Sequence, residues 1–265
     1  MDLNLNLLNR RNALSLSLLL GLTAPAHALP FTPQYDGLYQ NGDGANSHWV
    51  QVSDDWRGNL YGNEYWGTGI WGLSDHAQVT GLADDNPFVV QTLTARVDQI
   101  NFADQRFINE WGTSWSTPLL APIFNNAQGE NQDNWASSFW GYISITTPGA
   151  YNFSVLFDDG FRFNLFGAGG NSRSILRDGL NPRERVGFSE DLQLSTGLYG
   201  FQLEAYERLE AGAVQLAWYT PGANDWALVP QPHLFTRPIP EPAVLLLMLA
   251  GLAAIGLSAR RGRGN

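Results

Sequence analysis

Residues 151–167 read YNFSVLFDDGFRFNLFG, and apolar side chains recur at every second position. Tyr151, Phe153, Val155 and Phe157 share one face. Phe161, Phe163 and Leu165 resume the alternation. A period of two is that of a half-buried strand, so two strands are predicted with Asp158, Asp159 and Gly160 at the corner between them. Further strand patterns occupy residues 89–97, 97–102 and 140–145, the last closed by Thr147-Pro148-Gly149. Three late strands are predicted around 192–194, 198–206 and 213–219. In these, Phe201, Leu203 and Ala205 share a face, as do Val214, Leu216 and Trp218. Residues 103–134 read as loop, with Pro118 and Pro122 breaking any helix. Residues 167–187, rich in Gly, Asn, Ser, Arg and Pro, read as an exposed loop. Between 29 and 239 there is no helix-length amphipathic pattern. The expected class is all-β, an antiparallel β-sandwich.

The two ends follow different rules. Arg10-Arg11, an apolar run over residues 13–22 and Ala26-His27-Ala28 form a signal peptide pattern, with cleavage expected after Ala28. At the other end, Pro240-Glu241-Pro242 precedes an uncharged run over residues 243–259, then Arg260, Arg261 and Arg263. Seventeen residues at about 1.5 Å each just span a bilayer, as a single helix held by the Arg cluster on the cytoplasmic side. This three-part tail closely resembles the PEP-CTERM sorting signal. That resemblance implies transient anchoring in the inner membrane, recognition by an exosortase-type processing enzyme, and delivery to the cell surface or extracellular matrix. The predicted organisation is a signal peptide (1–28), a Gly/Asn/Trp-rich extension on or beside the sandwich (29–87), the sandwich itself (88–236) and the sorting tail (237–265).

Composition narrows the chemistry. The chain has no Cys, which excludes disulfides, a thiol nucleophile and Cys-ligated zinc. All 15 basic residues are Arg, so Schiff-base and P-loop lysines are excluded too. Without both targeting ends, 10 Arg face 23 acids, a net charge of −13. An acidic body is no partner for nucleic acid. It suits a place rich in divalent cations. Residues 41–46 (NGDGAN) are oxygen-rich but lack the downstream Glu of an EF-hand, so they read as a turn. The many aromatics in 49–71 read as packing over a sheet edge in preference to a sugar-stacking face.

Neighbouring strand residues point to opposite faces. Asp158 and Asp159 can therefore serve one ion only where the backbone turns abnormally, for example through a cis peptide whose cost a bound calcium would offset. The alternative is a solvated Asp-Asp-Gly turn.

An ordered series of motifs runs through the body. It comprises Asp98-x-x-Asn101-Phe102, Trp140-Gly141-Tyr142-Ile143, Pro148-Gly149-x-Tyr151-x-Phe153, Asp158-Asp159-Gly160, Phe161-x-Phe163 and Gly197-x-Tyr199. Ala205-Tyr206-Glu207, Gly212-Ala213, Leu216-x-Trp218 and Pro221-Gly222 complete it. Residues 88–235 thereby resemble the protective-antigen (PA14-type) domain family. The resemblance implies a sandwich with jelly-roll character and, in its calcium-dependent adhesins, an ion held by an Asp pair that in turn binds sugar hydroxyls. Asp158 and Asp159 match that pair. The family's further ligands, an Asn and backbone carbonyls, come from the loop after a late strand, here 207–210. The Asn is absent, and Glu207 is the candidate substitute, ahead of Glu210. The Asp-Gly that often follows the hairpin is Phe166-Gly167 here.

The sequence thus points to a non-catalytic exported protein that binds exopolysaccharide or surface glycan with Ca2+ at Asp158, Asp159 and Glu207. Arg173, Arg177 and Trp226 are candidate glycan contacts. Arg173 and Arg177, with Arg183 and Arg185, alternatively balance an acidic body, and Trp226 alternatively packs at an edge. A structural matrix module is the second reading. A glycosidase fits poorly, since adjacent Asp residues do not give two carboxylates about 5–10 Å apart across a bond.

Overall fold

The computed structural model describes residues 31–58, 67–111, 113–114, 117–118, 133–178 and 186–238. The predicted signal-peptide residues, including Ala26 and Ala28, lie outside them, as do Pro240, Glu241, Pro242, Arg260 and Arg261.

Early elements are β1 (Tyr35–Asp36), β2 (Ala45–Val52), helix α1 (Leu73–Val79), β3 (Val89–Val97), β4 (Asn101–Ala103) and helix α2 (Gln105–Trp111). A two-residue pair follows, β5 (Thr113–Ser114) and β6 (Thr117–Pro118). The long strands are β7 (Trp135–Ile145), β8 (Gly149–Asp158) and β9 (Gly160–Phe166), then β10 (Ser172–Arg177), β11 (Val186–Phe188) and β12 (Leu192–Leu194). β13 (Gly197–Glu207), β14 (Ala213–Tyr219), β15 (Ala227–Leu228) and β16 (Leu234–Phe235) complete the order.

Two antiparallel sheets carry the fold. The larger has the order β10-β9-β13-β7-β2-β3, with β1 on β13 and β16 on β7. The smaller has the order β11-β8-β14-β15, with β12 on β8 and β4 on β14. The predicted alternation explains the interior. Tyr151, Phe153, Val155 and Phe157 of β8 meet Phe161, Phe163 and Leu165 of β9 and Phe201, Leu203 and Ala205 of β13 in one buried cluster. Each large ring there removes apolar area from water worth roughly 2–3 kcal/mol.

Three expectations change. Residues 29–87 are not an extension beside the sandwich, because β2 runs inside the larger sheet between β7 and β3. Residues 167–187 are not all loop: β10 pairs with β9 over its whole length as an edge strand. Two seven-residue helices exist where none was expected. At two turns each they are too short to show a period, and tertiary packing forms them. α1 lies on the outer face of the larger sheet, where Leu73 and Val79 join Val50, Val52, Trp56, Ile70, Ala136 and Tyr206 in a second buried cluster.

The predicted turn at 41–46 anchors the C-terminal end of the body. Asp43 accepts hydrogen bonds from the Thr236 backbone N–H (2.8 Å) and hydroxyl (2.7 Å).

Candidate functional site at the acidic corner

The chain changes sheets at Asp158-Asp159-Gly160. Asp158 ends β8 opposite Ala213 of β14, and Gly160 opens β9 opposite Tyr206 of β13. The peptide bond between Asp158 and Asp159 is cis. Both residues are nearly inaccessible, at 3% and 4% relative exposure. The Asp159 backbone N–H donates to the Tyr206 carbonyl (2.8 Å). Its Oδ2 accepts from the Arg208 backbone N–H (2.9 Å). The corner is thus tied to the connection between β13 and β14.

Glu207 is brought to the same end of the sandwich by strand periodicity. It follows Leu203 and Ala205 at two-residue steps, so the face that buries them also carries the acid inward. Glu207 is 0% exposed, and neither Oε1 nor Oε2 accepts a hydrogen bond among the described residues. Its cross-strand partner is Trp135. A Cβ at Gly212 would meet Glu207 Cγ at 2.6 Å and the Trp135 ring at 3.0 Å, so the glycine leaves room for the acid. Burial pushes the Glu207 carboxyl well above the usual carboxylate range, and the charges of Asp133, Asp159 and Asp104 push the same way. The Asn134 backbone N–H opposes them, but its hydrogen bond goes to the Arg208 carbonyl (3.2 Å).

Three of the surrounding residues were missed in the sequence. Asp104 caps α2, accepting from the Phe107 N–H (2.6 Å), and its other oxygen accepts from the Gly212 N–H (2.5 Å). Burial raises its pKa to about 6 despite those bonds. Asp133 accepts from the Glu210 N–H (3.1 Å), and burial raises its carboxyl as well. Asn134, at φ 57°, accepts from the Ile70 N–H (3.2 Å) and donates to Asp54 (2.8 Å). An Asp directly before a short helix is a readable cap signal for Asp104. Nothing local marks Asp133 or Asn134, which the sheet register brings in. Among the described residues, no three His, Asp or Glu side chains converge at metal-binding distance.

An uncompensated buried carboxylate costs several kcal/mol, so it must be protonated or face a cation. Asp158, Asp159 and Glu207 supply hard oxygen donors of the kind calcium takes. The orphaned oxygens of Glu207 fit such an ion.

The other predicted contacts lie elsewhere. Arg173 is on β10 opposite Leu165, paired with Glu190 (3.3 Å) and stacked over Phe31 (4.9 Å). It borders a cavity of about 360 Å3 between the sheets, with Phe163, Ile175, Phe188 and Leu192. Trp226 packs on Phe188 (5.2 Å between ring centroids) and Tyr219 (5.9 Å). Tyr219 ends β14 six residues from the Asp158 partner Ala213, about 20 Å at a strand rise of about 3.3 Å. Arg173 and Trp226 therefore share a neighbour in Phe188, and neither is at the acidic corner. Arg177 is exposed on β10 opposite Phe161, at the corner end of the strand.

No protein-family model matches the chain, and no curated protein matches it. Solved structures do. An anti-sigma factor domain-containing protein from Clostridium clariflavum matches at TM-score 0.43 and 18% identity, over 81% of this chain and 53% of that one. The A domain of epithelial adhesin 6 from Candida glabrata, in complex with Galβ1-3GlcNAc, matches at 0.47 and 14%, over 78% and 93%. The PA14 sugar-binding domain from an RTX adhesin matches at 0.46 and 13%, over 74% and 99%. The chain spans about half the length of the two anti-sigma factor domain-containing proteins.

Proposed function

We propose that this chain is an exported, non-catalytic surface or matrix protein of the protective-antigen type that binds carbohydrate through a calcium ion at the Asp158-Asp159 corner. The observation that carries this reading is Glu207, a fully buried carboxylate without a hydrogen bond among the described residues, near enough to Asp159 for that charge to raise its pKa. Asp158, Asp159 and Glu207 would hold the ion. When bound, calcium offers free coordination positions to vicinal hydroxyls of a glycan. The rest of the corner orients these acids. The Arg208 N–H fixes Asp159, and Trp135 and Gly212 wall in Glu207. Export through the N-terminal signal and sorting by an exosortase-type enzyme through the Pro-Glu-Pro tail belong to the same proposal.

Calorimetry tests it. Calcium should bind the full-length protein and raise its melting temperature, by the equivalent of about 2.7 kcal/mol at one hundred times Kd. Asp159→Asn should abolish both effects, and glycan retention should require calcium. Protein that binds neither calcium nor glycan would leave the second reading, a structural matrix module whose Glu207 is simply protonated. The absence of three converging acids among the described residues favours that alternative.

A further inference from the structure

Arg208 is half-buried next to the acidic corner of a chain whose net charge is −10. Its backbone N–H holds Asp159, while its guanidinium is held by a separate segment of the chain. Nε and Nη2 both donate to the Thr68 carbonyl, at 3.2 and 3.0 Å. The guanidinium carbon lies 4.0 Å from the centroid of the Trp71 ring. Arg162, Arg173, Arg106 and Arg96 each find a carboxylate within 4.0 Å, but Arg208 finds none among the described residues. Gly69 makes this arrangement possible, since a Cβ there would press on Asn134 Oδ1 at 2.5 Å and on Arg208 Nε at 3.1 Å.

Holding the Nε–Nη2 side on one carbonyl leaves the Nη1–Nη2 side of the planar fork without an acceptor among the described residues. That side matches a carboxylate with two parallel hydrogen bonds. The Trp71 face and Thr68 fix the fork in advance, so little rotamer freedom remains to be lost on binding. Both holding groups come from the connection between β2 and α1, whereas the acids come from the sandwich proper.

We propose that Arg208, clamped by Trp71 and Thr68, reads a carboxylate on the bound glycan, so that the site prefers uronate-containing polysaccharide to neutral sugars. This rests on the calcium-dependent sugar site proposed above. The cation would engage ring hydroxyls, and Arg208 would select the acidic substituent.

The test measures binding of tetragalacturonate and of the neutral tetragalactoside to full-length protein at fixed free calcium. The wild type should favour the uronate about tenfold, as expected for one charge-assisted bidentate contact. Salt should narrow the preference. Arg208→Gln keeps the backbone N–H on Asp159 and a donor for Thr68, and it should bring the ratio to about one, any loss common to both probes cancelling in that ratio. Arg208→Lys should fall between. Because uronates bind calcium themselves, the comparison between variants on the same probe is decisive. A ratio near one in the wild type, or a preference that survives in Arg208→Gln, overturns the inference and leaves the sugar site standing. If neither probe binds with calcium, the underlying reading falls and takes this one with it. The ratio is insensitive to the folded fraction, so a purely structural role for Arg208 would lower both affinities together and would also overturn it.

Discussion

At the scale of single residues, two buried groups set opposite responses. Glu207 is an acid without a hydrogen bond among the described residues, and an unsatisfied buried polar group costs about 1–3 kcal/mol. Glu207→Gln removes the charge and keeps the shape. Without calcium the variant should melt at the same temperature as the wild type or higher. With saturating calcium it should lack the wild type's gain. A variant that melts lower with and without calcium would show that Glu207 acts through packing alone. His76 behaves in the opposite sense. It is buried on α1, and burial lowers its pKa below the ordinary 6.5. Its Nε2 lies 2.8 Å from the Ser137 carbonyl and donates to it in the neutral ring, leaving Nδ1 without a partner. A depressed histidine pKa means that the folded state resists protonation. Its contribution is therefore complete above pH 6.5 and is lost as pH falls through the window below. Asp104 and Glu207, whose carboxyls burial raises, gain stability as pH falls and act equally in wild type and variant, so thermal melts from pH 7.5 to 5 should isolate the His76 loss as a difference between the two. His76→Gln, which keeps a donor toward Ser137, should lack that loss.

At the scale of elements, the acidic corner depends on one close approach between strand ends. Gly212 lies over Glu207 and Trp135, and its N–H and carbonyl exchange hydrogen bonds with Asp104. Gly212→Ala would force a methyl to within 2.6 Å of Glu207 Cγ. It should cost about 1–3 kcal/mol in chemical denaturation and weaken calcium binding, whereas Gly81→Ala, whose Cβ would meet ordinary contacts at 3.4 and 3.5 Å, should leave calcium binding intact. The alternation in residues 151–165 made β8, β9 and the corner between them readable, because each strand buries one face. The inward, buried position of Glu207 could also be foreseen, since Glu207 continues the inward positions of β13. Asp133, Asn134, Arg208 and Trp71 could not. Their roles arise from the register of β13 on β7 and from the segment that packs outside the sheet, and no local period encodes either. Arg173 and Trp226 look like sugar contacts by composition alone. The topology sends them to a different part of the sandwich.

At the scale of the whole molecule, the decisive feature is the place of β2. The resemblance to a known domain spans residues 88–235, which invites a boundary at its start. Yet β2 lies between β7 and β3, and β3 pairs with no other strand among the described residues. Trp49 of β2 is fully buried, with ring centroids 5.2 Å from Phe102 and 5.3 Å from Trp135 and Phe139. Removing the first 87 residues would strip β3 of its ladder, leave residues 135–140 of β7 without their β2 partner and open a tryptophan-sized hole beside Trp135. Because Trp135 faces Glu207 across the strands, the loss would reach the acidic corner too. Trp49→Ala alone should cost about 3–5 kcal/mol, a large share of the stability of a typical domain. A chain of residues 31–238 should therefore melt in a single cooperative transition by circular dichroism. A chain of residues 88–238 should show none and should aggregate through its exposed β7 edge. A sharp, reversible melt from the shorter chain would mean that the sandwich closes without β2 and that the segment before residue 88 is dispensable to the fold.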